Sequence, residues 1–231
     1  MKLVIIGCEY TGTTTLGFRI RDWIHEELGG EVRNVHDHGK FPYSVTHEQE
    51  YTPVPSDFTD EEQEQLWALS TRTKETIMRH NVVYHVSGLS TMTGMKDSVM
   101  IGLHIEEGIY GELYLGFEGR RDFMSNMEDK ILSGGTDTVL CHVTARPEVV
   151  RRRMAENPHP NGILKDEDVE LVLQKFREEF ERSRLTRKIE LDTSDATVEE
   201  TLQDFVRRIG PHLTEQDRAG MAAVAAGRVA D

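Results

Sequence analysis

Cysteine is scarce: Cys8 and Cys141 are the only two in 231 residues. Two cysteines make no disulfide framework and no metal-ligand spacing, and a reducing cytoplasm is the natural setting. Positive charge is in deficit. Lys and Arg total 27 against 41 Asp and Glu, a formal charge of −14. Nonspecific binding to nucleic acid needs a positive footprint, so no nucleic-acid partner is expected. A small anionic ligand stays possible, because a few arginines and backbone amides act locally against the global field. Long apolar runs are missing too. Nothing approaches the roughly 18 residues that would suggest a membrane span, and mean hydropathy is −0.50. The opening Met1–Gly7 run is too short and too soon interrupted for a signal peptide. It reads as a buried first strand, and no membrane partner is expected. No internal repeat or low-complexity linker divides the chain.

What is present is an alternation. Five short, mostly apolar segments read as buried parallel strands: Lys2–Ile6, Glu31–His36, Val99–Ile105, Asp137–Thr144 and Lys188–Asp192. Helical patterns lie between them. Thr14–Leu28 spaces Leu16, Ile20, Trp23, Ile24 and Leu28 along one face and stops at Gly29-Gly30. Asp60–His80 reads as one long helix, Asp166–Arg184 and Thr197–Ile209 as two more. Asn81–Asp97 either extends the long helix or forms a separate loop and short helix. Ala219–Asp231, rich in small residues, is expected to be frayed or weakly helical. Strands alternating with helices predict an α/β fold: a five-stranded parallel sheet with helices on both faces. The expected organisation is one domain over 1–213, with a small lid at about 146–168 and a tail over 214–231.

The first strand-to-helix turn carries Gly7-Cys8-Glu9-Tyr10-Thr11-Gly12-Thr13-Thr14. The spacing is that of the phosphate loop G-x-x-x-x-G-K-[ST], with Thr13 where lysine is expected. Glycines let the backbone fold so tightly that successive N–H groups point at phosphate oxygens beside a helix N-terminus. The Thr14 hydroxyl is the expected magnesium ligand. The missing lysine removes a point charge that normally follows the β and γ phosphates into the transition state.

Other candidates cluster at strand ends. His36-Asp37-His38-Gly39-Lys40 closes the second strand. A carboxylate there faces the ligand crevice, so Asp37 is the candidate for proton acceptance or a magnesium shell. His36 and His38 raise a zinc site as a lesser alternative, with no further ligands evident, and a polar cap is the plain reading. Glu106 and Glu107 end the expected third strand: one functional carboxylate, or a solvated pair. Tyr110, Tyr114 and Phe117 read as a core stripe or an acceptor-binding wall. Arg146, Arg151, Arg152 and Arg153 form the densest basic cluster, ahead of the lid-like Glu156–Gly162. A mobile arginine there can neutralise a transferring phosphoryl group, and at least two of the four are expected in surface ion pairs. Lys165 and Arg187 are further substitutes for the absent loop lysine.

These residues resemble the thymidylate kinase and deoxynucleoside kinase branch of P-loop kinases. Gly7–Thr15 is similar to that branch's loop G-x-E-G-x-G-K-T-T, with Glu9 on the in-loop acid, Thr14 on the magnesium threonine, and Thr13 departing from the lysine. Leu66–Arg72 resembles the family helix that ends in Asp-Arg: Arg72 matches and Thr71 departs. Pro147–Arg153 looks like the turn into the lid, with Arg153 on the lid arginine, and Leu191–Thr201 like the last strand and helix. After the third strand the family's acidic-Arg motif is not kept: the acidic character of Glu106 and Glu107 survives and the arginine does not. The resemblance spans about residues 1 to 210. It implies ATP and Mg²⁺ as cofactors and a small-molecule acceptor, possibly a nucleoside or nucleotide, with a homodimer an open option. It implies Gly7, Glu9, Thr11, Gly12, Thr13, Thr14, Thr15 and Arg146 as cofactor contacts and Arg72 and Tyr110 as acceptor contacts. Asp37, Glu106 and Arg153 are its catalytic set. Two other readings stay open: a nucleotide-binding sensor or scaffold with little turnover, and a transferase using another phosphorylated donor.

Overall fold

The computed structural model describes residues 1–32, 35–37, 59–86, 96–135, 137–159 and 162–230. Its centre is a five-stranded sheet. The strands are β1 (Lys2–Ile6), β2 (Val35–Asp37), β3 (Ser98–Ile101), β4 (Thr138–Thr144) and β5 (Arg187–Asp192). Their spatial order is β2-β3-β1-β4-β5, and each neighbouring pair is parallel. Ile5 stands beside Ile101 on one side and Cys141 on the other. Alternate residues face opposite ways along a strand, so β1 feeds two cores. Val4 and Ile6 join Met100, Leu140, Tyr110, Phe123 and Phe176 on one face. Leu3 and Ile5 join Val99, Ile101, Val139, Trp23 and Phe205 on the other. Both faces are covered, which is why β1, β3 and β4 read as near-continuous apolar runs.

The helices are α1 (Thr13–Leu28), α2 (Asp60–Ala68), α3 (Thr71–Val86), α4 (Leu103–Tyr114), α5 (Arg120–Ser133), α6 (Pro147–Glu156), α7 (Val169–Arg182), α8 (Val198–Ile209) and α9 (Glu215–Ala230). α1 buries Leu16, Gly17, Ile20, Trp23, Ile24 and Leu28, the face set by its apolar spacing.

Four expectations are corrected. The third strand does not run to Ile105. Gly102 takes φ +77° and Leu103 φ +54°, and the chain turns sharply into α4. Glu106 and Glu107 are therefore helical and buried, not a strand rim. The long helix over 60–80 is two helices. Leu69 is extended, and the Ser70 hydroxyl accepts the Thr73 N–H at 3.2 Å, starting α3 afresh. β2 is shorter than read: its described residues begin at Val35 and include Asp37. The C-terminal stretch is a docked helix. Thr214 and Asp217 exchange capping hydrogen bonds at 3.1 and 2.9 Å that start α9, and Met221 packs on the α1 side of the core. Gly220 lies so close to the Leu28 carbonyl oxygen that an added Cβ would sit 2.2 Å from it. Of Asn81–Asp97, α3 takes the part up to Val86, and residues 87–95 lie outside the described residues, as do His38 and Lys40. Among the described residues no helix is long and apolar enough to cross a membrane.

Candidate active site

The loop between β1 and α1 sits at the carboxyl edge of the sheet. Its geometry follows from its small residues. A Cβ on Gly7 would lie 2.4 Å from the Val143 carbonyl oxygen and 2.6 Å from Thr11 Oγ1, so only glycine fits. The loop then closes on itself. Cys8 O accepts the Thr11 N–H at 3.1 Å and the Thr11 hydroxyl at 2.7 Å. Tyr10 at φ +67° and Gly12 at φ +94° turn the chain into α1. Left-handed backbone is natural for glycine and strained for tyrosine. Gly12 caps α1 with no side-chain acceptor, and the first turn of Thr13, Thr14 and Thr15 carries no acidic residue. α2 and α8 differ, each closed by a capping box, Thr59/Glu62 and Thr197/Glu200. The start of α1 thus has no side-chain cap from Gly12 and no acidic residue at a positive helix end.

Side chains lock this loop from three directions. The Glu9 N–H donates to Tyr110 Oη at 3.0 Å. Tyr110 is buried between Tyr114 and Phe176, and burial pushes its phenol well above the usual range, so it stays neutral. The Glu9 carboxylate reaches the other way and accepts the N–H groups of Ile163 and Leu164 at 3.2 and 3.3 Å. Tyr10 stacks on His159 with ring centroids 4.1 Å apart, and its hydroxyl accepts the His159 N–H at 3.0 Å. The connection after α6 is therefore seated on the loop. On the third side Arg153 donates from Nη1 to Tyr10 O and to Thr193 Oγ1, each at 3.0 Å, and from Nη2 to Thr193 O at 2.7 Å. The Thr193 hydroxyl in turn reaches Thr11 O at 2.9 Å. Arg153 and Thr193 tie the loop to the β5–α8 connection.

The remaining predicted residues divide. Asp37 ends β2 opposite Ile101, at the same sheet edge as the loop. Glu106 is 7% exposed, and a Cβ on Gly102 would lie 2.6 Å from Glu106 Oε2, so its carboxylate folds back to the end of β3. Gly102 donates to Ile5 O at 2.7 Å, joining that turn to the base of the loop. Tyr110 supports the loop from within the core. Arg146 is held on the surface, by Asp195 through two 2.7 Å bonds and by Glu148 at 2.8 Å. Arg151 pairs with Glu170 at 2.7 Å. Arg72 is exposed on the first turn of α3. The Lys165 ammonium lies 5.9 Å from the Tyr114 ring centre, and Arg187 donates to His212 O at 2.9 Å. His36 faces His85 with rings 5.0 Å apart, and burial, then His85, lowers it to about 4. Among the described residues no three or more His, Cys, Asp or Glu side chains form a metal-binding group.

Thr193 and His159 were not picked out by sequence reading. Thr193 had a signal: it opens the polar run Thr193-Ser194-Asp195 directly after the last strand, at the ligand edge. His159 had none, since only the fold brings it to Tyr10.

No family model matches the chain, and no curated protein matches it. Solved structures do. The YorR protein from Bacillus subtilis, in complex with phosphorylated GDP, matches 92% of this chain and 99% of its own at 15% identity, with a TM-score of 0.53. The deoxyadenosine kinase from M. mycoides, with bound dATP, matches over 90% and 99% at 10% identity, TM-score 0.55. The thymidylate kinase from Candida albicans matches over 94% and 93% at 11% identity, TM-score 0.52. The chain has the α/β fold of P-loop nucleoside and nucleotide kinases. Within that fold its loop is atypical, with Thr13 in the lysine position.

Proposed function

We propose that the protein is an ATP-dependent phosphotransferase acting on a small molecule. The observation that carries this reading is the uncapped, acid-free start of α1 behind a loop in which Gly7 admits no side chain, set in a kinase fold. In this reading the N–H groups of Gly12–Thr15 orient the donor phosphates. Oxygen donors suit Mg²⁺, and Thr14 is the residue that would hold it. The ion would supply charge at the β and γ oxygens. Asp37 or Glu106 takes the proton as the acceptor oxygen bonds to phosphorus, and the bond from phosphorus to the ADP oxygen breaks. Arg153, beside the loop, offers the cationic charge that Thr13 does not.

A second reading, a nucleotide-binding protein with little turnover, draws on one observation. The Arg153 nitrogens are engaged by Tyr10 O and Thr193, so Arg153 itself turns no charge into the loop. Calorimetric titration with ATP, GTP and phosphoadenosine-phosphosulfate, with single-turnover rates at fixed Mg²⁺, tests both. The phosphotransferase reading expects ATP or GTP to bind and transfer, and Thr13→Lys to add little. A rise in ATP affinity of about 1–3 kcal/mol on Thr13→Lys, the worth of a charge-assisted bond, together with a rise in rate, would favour the second reading. Binding of the sulfate donor alone would sink both.

A further inference from the structure

The outer face of α5 carries a regular pattern. Phe123, Met124, Met127 and Glu128 are buried. Arg121, Asp122, Ser125, Asn126, Asp129 and Lys130 are exposed. Residues four apart line up along a helix, so these six form two rows side by side. One reads Arg121, Ser125, Asp129, and the other Asp122, Asn126, Lys130. Each row has opposite charges at its ends and a short polar residue at its middle, and the two rows run in opposite senses. Beside the second row lies a groove of about 580 Å³ between α3 and α5. Val83, Phe123 and Met127 line it with apolar atoms, and Asp122, Asn126 and Lys130 stand along it.

The whole chain is strongly acidic, at −14. This face is balanced: Arg79, Arg121 and Lys130 stand against Glu118, Asp122 and Asp129, of which Asp129 also accepts Arg184 Nη1 at 2.8 Å. An acidic or a basic partner would suit one half of these charges and clash with the other. A copy of the same face suits both. Two α5 helices laid antiparallel about a two-fold axis between Ser125 and Asn126 bring each row against its own copy. Arg121 then meets Asp129 of the second copy, and Asp122 meets Lys130 of the second copy, while Ser125 and Asn126 meet their own counterparts at the centre. A two-fold contact needs this self-complementarity. A parallel pair in register would oppose like charges throughout.

We propose that this face is a self-association surface, on which α5 of a second copy of the chain lies antiparallel along the groove beside α5. The charge of −14 on each copy opposes approach, but at physiological salt the Debye length is about 8 Å. At contact distance the local pairs therefore decide orientation and register. The proposal stands apart from the phosphotransferase reading and survives or fails without it.

Sedimentation velocity on the full chain tests it. The wild-type chain is expected to form a dimer that tightens with concentration. Asp122→Lys and Lys130→Asp are each expected to weaken that dimer about tenfold, since two exposed pairs turn from attraction to repulsion. Mixed in equal amounts, the two variant chains are expected to pair as tightly as wild type. In the mixed dimer the introduced lysine faces the introduced aspartate, and the two native charges face each other. Asn126→Cys adds a thiol beside the axis, where a short bis-maleimide is expected to join two chains; the native Cys8 and Cys141 are buried. A monomer at every concentration would overturn the proposal. So would a dimer indifferent to both charge reversals, or a mixture no tighter than its components. Should a charge-reversed chain not fold, the cross-link decides: a dimer that Asn126→Cys leaves unlinked is built on another surface.

Discussion

Arg153→Ala separates two roles that one side chain can play. As a lid charge, Arg153 acts mainly in the transition state, and its loss lowers turnover with little change in ATP affinity. As placed here, it is a brace. Three hydrogen bonds, at 3.0, 3.0 and 2.7 Å, join it to Tyr10 O, Thr193 Oγ1 and Thr193 O. At about 1 kcal/mol net for each bond at a partly exposed site, the substitution costs about 2–3 kcal/mol. For a chain of this size 1 kcal/mol moves Tm by roughly 2–4 °C, so the expected fall is about 5–10 °C. The released carbonyl belongs to Tyr10, whose positive φ then loses a restraint, so the loop should also lose order and ATP affinity. Arg153→Lys should recover only part, because one ammonium cannot span Tyr10 O and Thr193 O as a planar fork does. Differential scanning calorimetry and ATP titration on the three proteins measure both effects. A Tm within about 1 °C of wild type, with unchanged ATP affinity and lost turnover, would refute the brace and restore the lid charge.

Two further substitutions test the frame around the site. Gly7→Ala pushes a methyl against Thr11 Oγ1 and against the backbone carbonyl of Val143, which β4 holds in place. Phosphate and ATP binding should be lost with a drop of about 1–3 kcal/mol in stability, and an ATP isotherm like wild type would show that the loop is not the anion site. Glu128 is buried in α5, which by itself would raise its pKa. His104 at 3.5 Å, the Ser183 hydroxyl and the Arg184 N–H at 3.0 Å outweigh burial and hold it down to about 2. The stabilisation is therefore present above about pH 4.5, the unfolded value, and fades as pH falls through 2, a loss that solvent screening cuts from about 3 to about 2 kcal/mol. Glu128→Gln should lower stability at pH 7 and remove this part of the acid dependence; parallel stability curves for the two proteins between pH 5 and 2 would contradict it.

Much of the architecture was legible because its causes are local. β1, β3 and β4 are apolar runs, and α1 announces itself by the spacing from Leu16 to Leu28 and by its glycine stop. The tight turn from β1 into α1 was legible for the same reason, since glycine spacing and position are both written in a dozen residues. What escaped depends on backbone angles or on distance along the chain. Ser98–Ile105 keeps an apolar character straight through Gly102, so nothing in hydropathy marks the turn where β3 becomes α4. α5, with Arg120 buried and Lys130 in its last turn, hides its apolar face behind charged residues that are paired only in three dimensions. The bonds from Glu9 to Ile163 and Leu164 cross more than 150 residues. No spacing rule reaches so far.

Tyr10 and Leu103 are the two non-glycine residues with positive φ among those described, and they follow neighbouring strands, β1 and β3. Each costs of order 1 kcal/mol that a glycine there would not. Both costs fall on one rim of the molecule. Glycine or asparagine at either position would relieve that cost and forfeit what the side chain holds. Tyr10 cannot be traded without giving up the ring that stacks on His159, nor Leu103 without opening the core it fills. In a laboratory lineage grown hotter each round, Tyr10 would thus show whether its contact with His159 outweighs its backbone strain.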